Sequence, residues 1–492
     1  MLVIFLFAID ATIVSTSMPT IVAKLGGLEL YSWVFSIYML TSALATPIFG
    51  KLSDLFDRRN LMLAGIAIFV LGSALCGAAQ TMEMMIWFRA IQGLGGGAIY
   101  ALSFIVVGIL YPAEKRAKMQ GVISSIWGIS SILGPLAGAV IVENWSWRWI
   151  FFVNLPLAAA ASGLIMIGLK EQGTERRRPK LDLLGTATLL IALLLLFYAL
   201  AQSAHEQRAL NAELLGLIAL GAVFFGVFLI VERRAQEPIM PLDLFHQSLF
   251  TTSCAVSTVA SMGVFGAISY LPLYLQGVIG TSASHAGITL LLLSAGWTAG
   301  SLLAGHGMDR LGYRWVSAAG MVLLALGYCF FLGPTTPVPP SIVLINGILI
   351  GTGMGLANLT TLVAAQTTVP KHRIGVATST IMLFRTFGGA FGISLMGTLL
   401  LVQMQQGLAQ LASLGGSQLS PELRDKIANP QNLLEPATRA LIPPELLPPL
   451  VETLADALWY AFFAAFVLML LGIAISLFMP HYAPAKSARP DK

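Results

Sequence analysis

Runs of about 20 consecutive apolar residues recur from one end of this chain to the other. Each is long enough to cross a bilayer as a helix. The 492 residues are 57% hydrophobic and only 10% charged, and the mean hydropathy is +0.82. A soluble protein of ordinary composition carries roughly 25% charged residues. Barrel strands would be about 10 residues long and would alternate apolar with polar, which these runs do not. The expected fold is therefore an all-α polytopic membrane protein.

The runs divide into fourteen expected spans: 1–22, 30–50, 60–79, 83–110, 119–142, 148–168, 183–203, 213–232, 249–276, 285–304, 315–333, 341–368, 374–402 and 457–479. Lys and Arg mark the sides. Twenty lie in one alternating set of loops and tails, Lys51, Arg58, Arg59 and Lys115 among them, and six lie in the other set. By the positive-inside rule both termini are expected in the cytoplasm, and the Pro-rich segment 403–456 outside. Polar linkers at 170–182 and 232–247 bracket the seventh and eighth spans. Removing that pair leaves six spans on each side. The expected organisation is an N-terminal six-helix bundle (1–168), a linker with two extra helices (169–247), a C-terminal six-helix bundle (248–479) and a cytoplasmic tail (480–492).

A repeat supports that division. The charged turn Gly50-Lys51-Leu52-Ser53-Asp54-Leu55-Phe56-Asp57-Arg58-Arg59 has a weaker copy beginning at Gly305, which includes Asp309 and Arg310. Gly93 and Gly97 echo at Gly347 and Gly351, and Gly134 and Gly138 echo at Gly388 and Gly392, all at nearly one offset. Such an echo suggests two related halves.

Several function classes are disfavoured. The basic residues sit in loops rather than in one patch, so the net charge of +5 is a topology signal and not a nucleic-acid footprint. No Gly-x-x-x-x-Gly-Lys-Ser/Thr loop is present, so nothing points to an ATP-driven pump. The glycine-rich stretches lie inside apolar helices and not after strands, which argues against a dinucleotide site. The six histidines are scattered without metal-ligand spacing. Cys76, Cys254 and Cys329 fall inside apolar runs and read as packing residues rather than a disulfide framework. No cleaved leader is expected, because the first run has no basic segment before it and contains Asp10. No catalytic residue, metal or cofactor is expected.

Taken together the motifs resemble the major facilitator superfamily. Gly50-x-Leu52-Ser53-Asp54-x-x-x-Arg58-Arg59 is similar to its signature between spans two and three. Leu55 and Asp57 stand where the family often has arginine and glycine. Arg89-x-x-Gln92-Gly93-x-Gly95 resembles the span-four motif, and Gly134-Pro135-x-x-Gly138 the span-five motif associated with antiporters. Asp10-x-Thr12-Ile13-Val14-x-x-x-x-Pro19 and Trp147-Arg148-Trp149-Ile150-Phe151-x-x-Asn154-x-Pro156 resemble the fourteen-span drug:proton antiporters. The resemblance covers essentially the whole chain. It implies alternating access, proton coupling, and amphipathic, often cationic, drugs and dyes as substrates.

Asp10 is the sharpest single residue. A carboxylate at membrane depth costs about 2.5–3.5 kcal/mol on insertion scales, so it must be neutralised, paired or wetted. It is read as a proton-coupling residue, the alternative being a fixed pair with a neighbouring helix. Arg89 shares a helix face with Gln92, Gly93 and Gly96. It cannot be deprotonated and needs a partner or a wet cavity. It is read as the second proton-coupling residue, tuning a nearby acid or polarising water, the alternative being a fixed ion pair or snorkelling. Asp54 with Gly50, Arg58 and Arg59 is read as a conformational latch that caps a helix N-terminus of the other half near Gly375, with Asp309 and Arg310 as its weaker counterpart. Gly134, Pro135 and Gly138 are expected to bend or thin the fifth span. Tyr38, Gln92, Tyr270, Tyr274, Trp297, Asn358, Phe384 and Arg385 are candidate cavity residues, with snorkelling to the interface the alternative for Arg385.

The expected function is that of a proton-driven exporter in the cell membrane that acts as a monomer on small amphipathic molecules. Its partners are protons, membrane lipids and, as an open question, an envelope adaptor protein. An exporter of an endogenous lipid, siderophore or metabolite is the alternative, followed by a non-transporting membrane sensor.

Overall fold

The computed structural model describes all residues apart from 26–29, 112, 170–181, 206–211, 236–237, 239, 282, 334–337, 414–441, 443 and 481–492. In chain order its helices are α1 (Leu2–Leu25), α2 (Tyr31–Leu55), α3 (Arg58–Ala78), α4 (Met82–Leu110), α5 (Ala113–Asn144), the short α6 (Trp149–Phe152), α7 (Asn154–Gly168), α8 (Leu183–His205), α9 (Ala212–Glu232), α10 (Ser248–Leu273), α11 (Ala283–Cys329), α12 (Pro340–Thr367), α13 (Ile374–Ser413) and α14 (Leu447–Leu477). No strand occurs among the described residues. Among the described residues ten helices are long and apolar enough to span a membrane; Leu2–Val14 and Leu184–Leu196 are shorter apolar stretches.

Local signals explain the helix ends. Asp57 caps α3 by accepting from the Asn60 backbone N–H at 3.1 Å. This is what the aspartate does where the resembled family has glycine. Thr81 caps α4 through the Met84 N–H. Arg148 closes the opposite end of α3, donating from Nη1 to the carbonyls of Gly77 and Ala79, where the helix dipole favours a cation. Pro272 sits near the end of α10, which runs on into one wide turn of π-helix at Tyr274–Val278.

Three boundaries depart from the sequence reading. The turn expected at 305–314 is helical for most of its length; the tenth and eleventh spans are two arms of α11, broken at Gly312 (φ 75°). Gly tolerates that left-handed conformation without steric cost. The sixth span opens with the separate short α6 rather than one uniform helix. The segment before the last span begins later than 403 and ends before 456, because α13 runs to Ser413 and α14 starts at Leu447. Met404 and Leu408 are buried and hold that extension in the core. The remainder of this segment, most of linker 170–182 and residues 481–492 of the tail lie outside the described residues.

The echoed glycines mark helix crossings. A Cβ at Gly93 or Gly97 would strike the α2 backbone at Tyr38 or Ser42, and one at Gly72 or Gly95 would strike the α3–α4 contact. In the second half, a Cβ at Gly351 or Gly355 would strike the first arm of α11 at Leu293 or Trp297, and one at Gly353 would strike the second arm at Gly320. Thus α4 is gripped by α2 and α3 as α12 is gripped by the two arms of α11. Likewise Gly134 seats α5 on α1 at Thr12, and Gly388 and Gly392 seat α13 on α10 at Thr258 and Met262. Small residues permit such close approach where lipid supplies no hydrophobic drive between helices. The pair α8–α9 lies at the periphery: 17% of the most apolar stretch of α9 is buried, against 72% for α4.

Candidate functional site

Asp10 lies on α1, fully buried, and donors from two other helices converge on it. Arg89 Nη1 on α4 donates to Oδ2 at 2.9 Å. Gln92 Nε2, one turn along α4, donates to Oδ1 at 2.8 Å. Asn154 Nδ2, the first residue of α7, donates to Oδ1 at 2.8 Å. Arg89 Nη1 also donates to Gln92 Oε1, and its guanidinium carbon sits 4.0 Å from the centre of the Tyr38 ring. Asn154 reaches Ser73 of α3, whose hydroxyl donates to the Phe151 carbonyl. One carboxylate thus ties together α1, α3, α4 and the α6–α7 corner.

The chemistry follows from burial. An ionised carboxylate out of water is tolerated only when paired and hydrogen-bonded, and Asp10 has both. Arg89 and Gln92 can act together because they lie three residues apart on one face of α4. Neither Asp10 nor Arg89 snorkels; both point into the bundle.

A second cluster joins the halves. Asp54, at the end of α2, accepts the backbone N–H groups of Gly375 and Val376 at 3.0 and 2.9 Å, on the first turn of α13. A Cβ on Gly375 would collide with the Gly50 carbonyl, Ser53 Oγ and Asp54 Oδ1, and one on Gly50 would collide with Ser379. The helices therefore touch backbone to backbone here. Nearby, Gln120 of α5 donates to Gln366 of α12 at 2.9 Å, and Gln366 donates to Thr378. Arg116 reaches the Gln366 carbonyl. These bonds gather at the end that carries Lys51, Arg58, Arg59 and Lys115. Arg58 and Arg59 are partly exposed in that turn, whereas Asp309 and Arg310 are exposed just before the Gly312 break.

The remaining candidates separate into two groups. Gly134 and Gly138 are buried in α5, and Thr12 bonds across to the Ser130 carbonyl at 3.0 Å; Pro135 lies within the unbroken α5. Tyr270 and Tyr274 sit in the packed core of the C-terminal half, their hydroxyls bonded to the Ile393 carbonyl and the Val338 N–H. Trp297 packs on the same core. Asn358 is held by Ser257 and Met354. Phe384 lies against Phe245. Arg385 does not snorkel: it is 7% exposed and extends toward the first half, with Nη1 3.5 Å from the Tyr100 hydroxyl and Nη2 3.4 Å from the Asn358 carbonyl.

Sequence reasoning left Asn154, Ser73, Phe7, Tyr100 and Trp127 out of the site. Asn154 stood in plain view, two residues before Pro156 in the motif quoted above. The aromatics carried no signal, because one ring in an apolar helix looks like any other.

Comparisons with known proteins identify the family. The family model for the Major Facilitator Superfamily matches residues 1–393. The chain is 35% identical over 96% of its length to the multidrug transporter protein MdtP of Bacillus subtilis, of which it covers 91%. It is 34% identical over 97% of its length to multidrug resistance protein 3 of the same organism, covering 93% of that protein. Among solved structures, the human organic anion transporter MFSD10 (TETRAN) superposes with a TM-score of 0.63 at 16% identity, over 96% of this chain and 97% of the other. A bacterial homologue of the human lysosomal transporter Spinster, inward-facing and unoccupied, superposes with a TM-score of 0.57 at 16% identity, over 98% and 97%. With its all-helical fold, its glycine-paired helices and a family match across four-fifths of its length, this chain is a multi-pass transporter, not an enzyme, and belongs to the major facilitator superfamily.

Proposed function

We propose that this protein is a proton-coupled exporter of amphipathic drugs and dyes, one of the fourteen-span antiporters, with both termini in the cytoplasm of a cell whose plasma membrane it crosses. The observation that carries the proposal is Asp10, a buried carboxylate whose donors come from α4 and α7. Those donors stand on helices other than its own, so the protonation of Asp10 and the arrangement of the first half are linked. A proton arriving from outside would neutralise Asp10 and release Arg89 from its partner. Loss of that pair would favour a second arrangement in which substrate and proton exchange sides. One proton moved inward through 100 mV supplies about 2.3 kcal/mol. The names carried by the two Bacillus relatives favour drugs over other cargo.

Asp54 is the proposed latch. Its carboxylate on the first turn of α13 uses the positive end of a helix dipole and closes the cytoplasmic side. Opening that side would require the latch to part.

The test is uptake of ethidium into inverted vesicles with an imposed pH gradient, wild type beside Asp10→Asn at equal insertion. Gradient-dependent uptake by the wild type and none by the variant is the expected result. Uptake by both would place the proton site elsewhere, and uptake by neither would remove the drug-exporter reading.

A further inference from the structure

Of the three buried arginines among the described residues, Arg89 and Arg385 lie within spans and differ in their partners, whereas Arg116 sits near the start of α5 beside Gln366. Arg89 has a carboxylate partner and a tyrosine face. Among the described residues Arg385 is held by two long contacts to neutral oxygens, the Tyr100 hydroxyl and the Asn358 carbonyl, and its Nε, like that of Arg89, makes no bond. No carboxylate lies within ion-pair distance of it among the described residues. A guanidinium at membrane depth stays charged at any accessible pH. Such a residue marks a binding function when no fixed partner accounts for it.

Its surroundings point the same way. Arg385 meets the first half at an aromatic shelf. Phe7 packs on Tyr100 with centroids 5.3 Å apart, and Trp127 stands edge-on to Phe7 at 5.6 Å. Tyr100 and Trp127 are only partly buried. The charged group thus comes from α13 and the apolar surface from α1, α4 and α5. Tyr38 stacks on the far side of Phe7 at 6.1 Å and also lies under Arg89. A ligand on the shelf would therefore sit two rings from the Asp10 pair.

We propose that Arg385 and the Phe7–Tyr100–Trp127 shelf bind aromatic amphiphiles that carry a carboxylate or equivalent anionic group, so that zwitterions and anions are preferred over purely cationic dyes. The guanidinium fork matches a carboxylate in two parallel hydrogen bonds, and the shelf takes the ring system. This rests on the exporter reading for its biological sense, but binding can be measured without transport.

The experiment uses the full chain in nanodiscs and a matched pair of dyes: a carboxyl-bearing rhodamine and its ethyl ester, which is purely cationic. Fluorescence anisotropy gives both affinities. The wild type is expected to bind the acid at least tenfold more tightly than the ester, about 1.4 kcal/mol. Arg385→Gln is expected to abolish that preference while leaving ester binding within about twofold, and Arg385→Lys to keep part of it. A merely structural Arg385 would lower both affinities together in the Gln variant, and that outcome overturns the inference. So does a wild type with no preference for the acid, or with no binding of it. Because no proton gradient is applied, failure here leaves the Asp10 vesicle result standing, and failure of the vesicle assay leaves this one readable.

Discussion

The first half buries Arg89 against an acid, whereas the second half buries Arg385 beside neutral oxygens. Arg89 and Asp10 neutralise each other through Oδ2, and Gln92 and Asn154 both donate to Oδ1. Arg385 reaches out of its own half toward Tyr100 and touches no acid there. The contrast teaches how one repeated architecture divides labour. The same helix pairings recur on glycines in both halves, and the fully buried pair of Asp10 with Arg89 belongs to the first. A closed pair can store a proton-dependent change; an arginine without an acid can recognise something that arrives.

The largest expected effect tests whether the pair is what holds the first half together. Arg89→Gln leaves a buried carboxylate without its cation and should cost about 3–5 kcal/mol of stability. Arg385→Gln removes only long bonds to neutral oxygens and should cost no more than about 1 kcal/mol. Denaturation of purified protein in detergent, followed by tryptophan fluorescence, measures both; equal losses would erase the distinction. Asp10→Asn combined with Arg89→Gln should lose much less than the sum of the single changes, since no uncompensated charge remains.

A smaller effect sharpens the role of the α6–α7 corner. Asn154→Ala removes one charge-assisted bond to Asp10 and should cost about 2 kcal/mol in the same unfolding assay. A neutral result would mean that Arg89 and Gln92 satisfy the carboxylate without help. At the junction of the halves, Asp54→Asn weakens a capping contact worth about 1 kcal/mol. The balance of closed and open forms on that side should shift about fivefold. Spin labels at positions 56 and 371, both exposed, would show it as a longer component in the distance distribution; an unchanged distribution would remove Asp54 from the latch. Ser73→Ala, which leaves Asn154 bonded to Asp10, should change stability by less than about 1 kcal/mol.

Much of this was legible in the chain, though unevenly. The apolar runs located the helices because a bilayer permits few other solutions. The Gly312 break escaped notice because a glycine inside a charged turn predicts a loop, while the flanking residues continue as helix on both sides. Asp10 and Arg89 were visible as charges at the wrong depth. Their pairing was not, because residues 79 apart in sequence carry no mark of contact. Tyr270 and Tyr274 were grouped with Tyr38 by type alone; packing then separated them, placing two in the core of the second half and one under Arg89.

The sequence by itself determined the membrane class, the helix positions and which residues could not be ordinary, since hydropathy and charge act locally along the chain. Only the tertiary structure decided which of those residues meet. Whether a buried arginine has an acid beside it depends on how helices cross. Those crossings are set by glycines whose neighbours lie tens or hundreds of residues away, as Gly375 lies against Gly50.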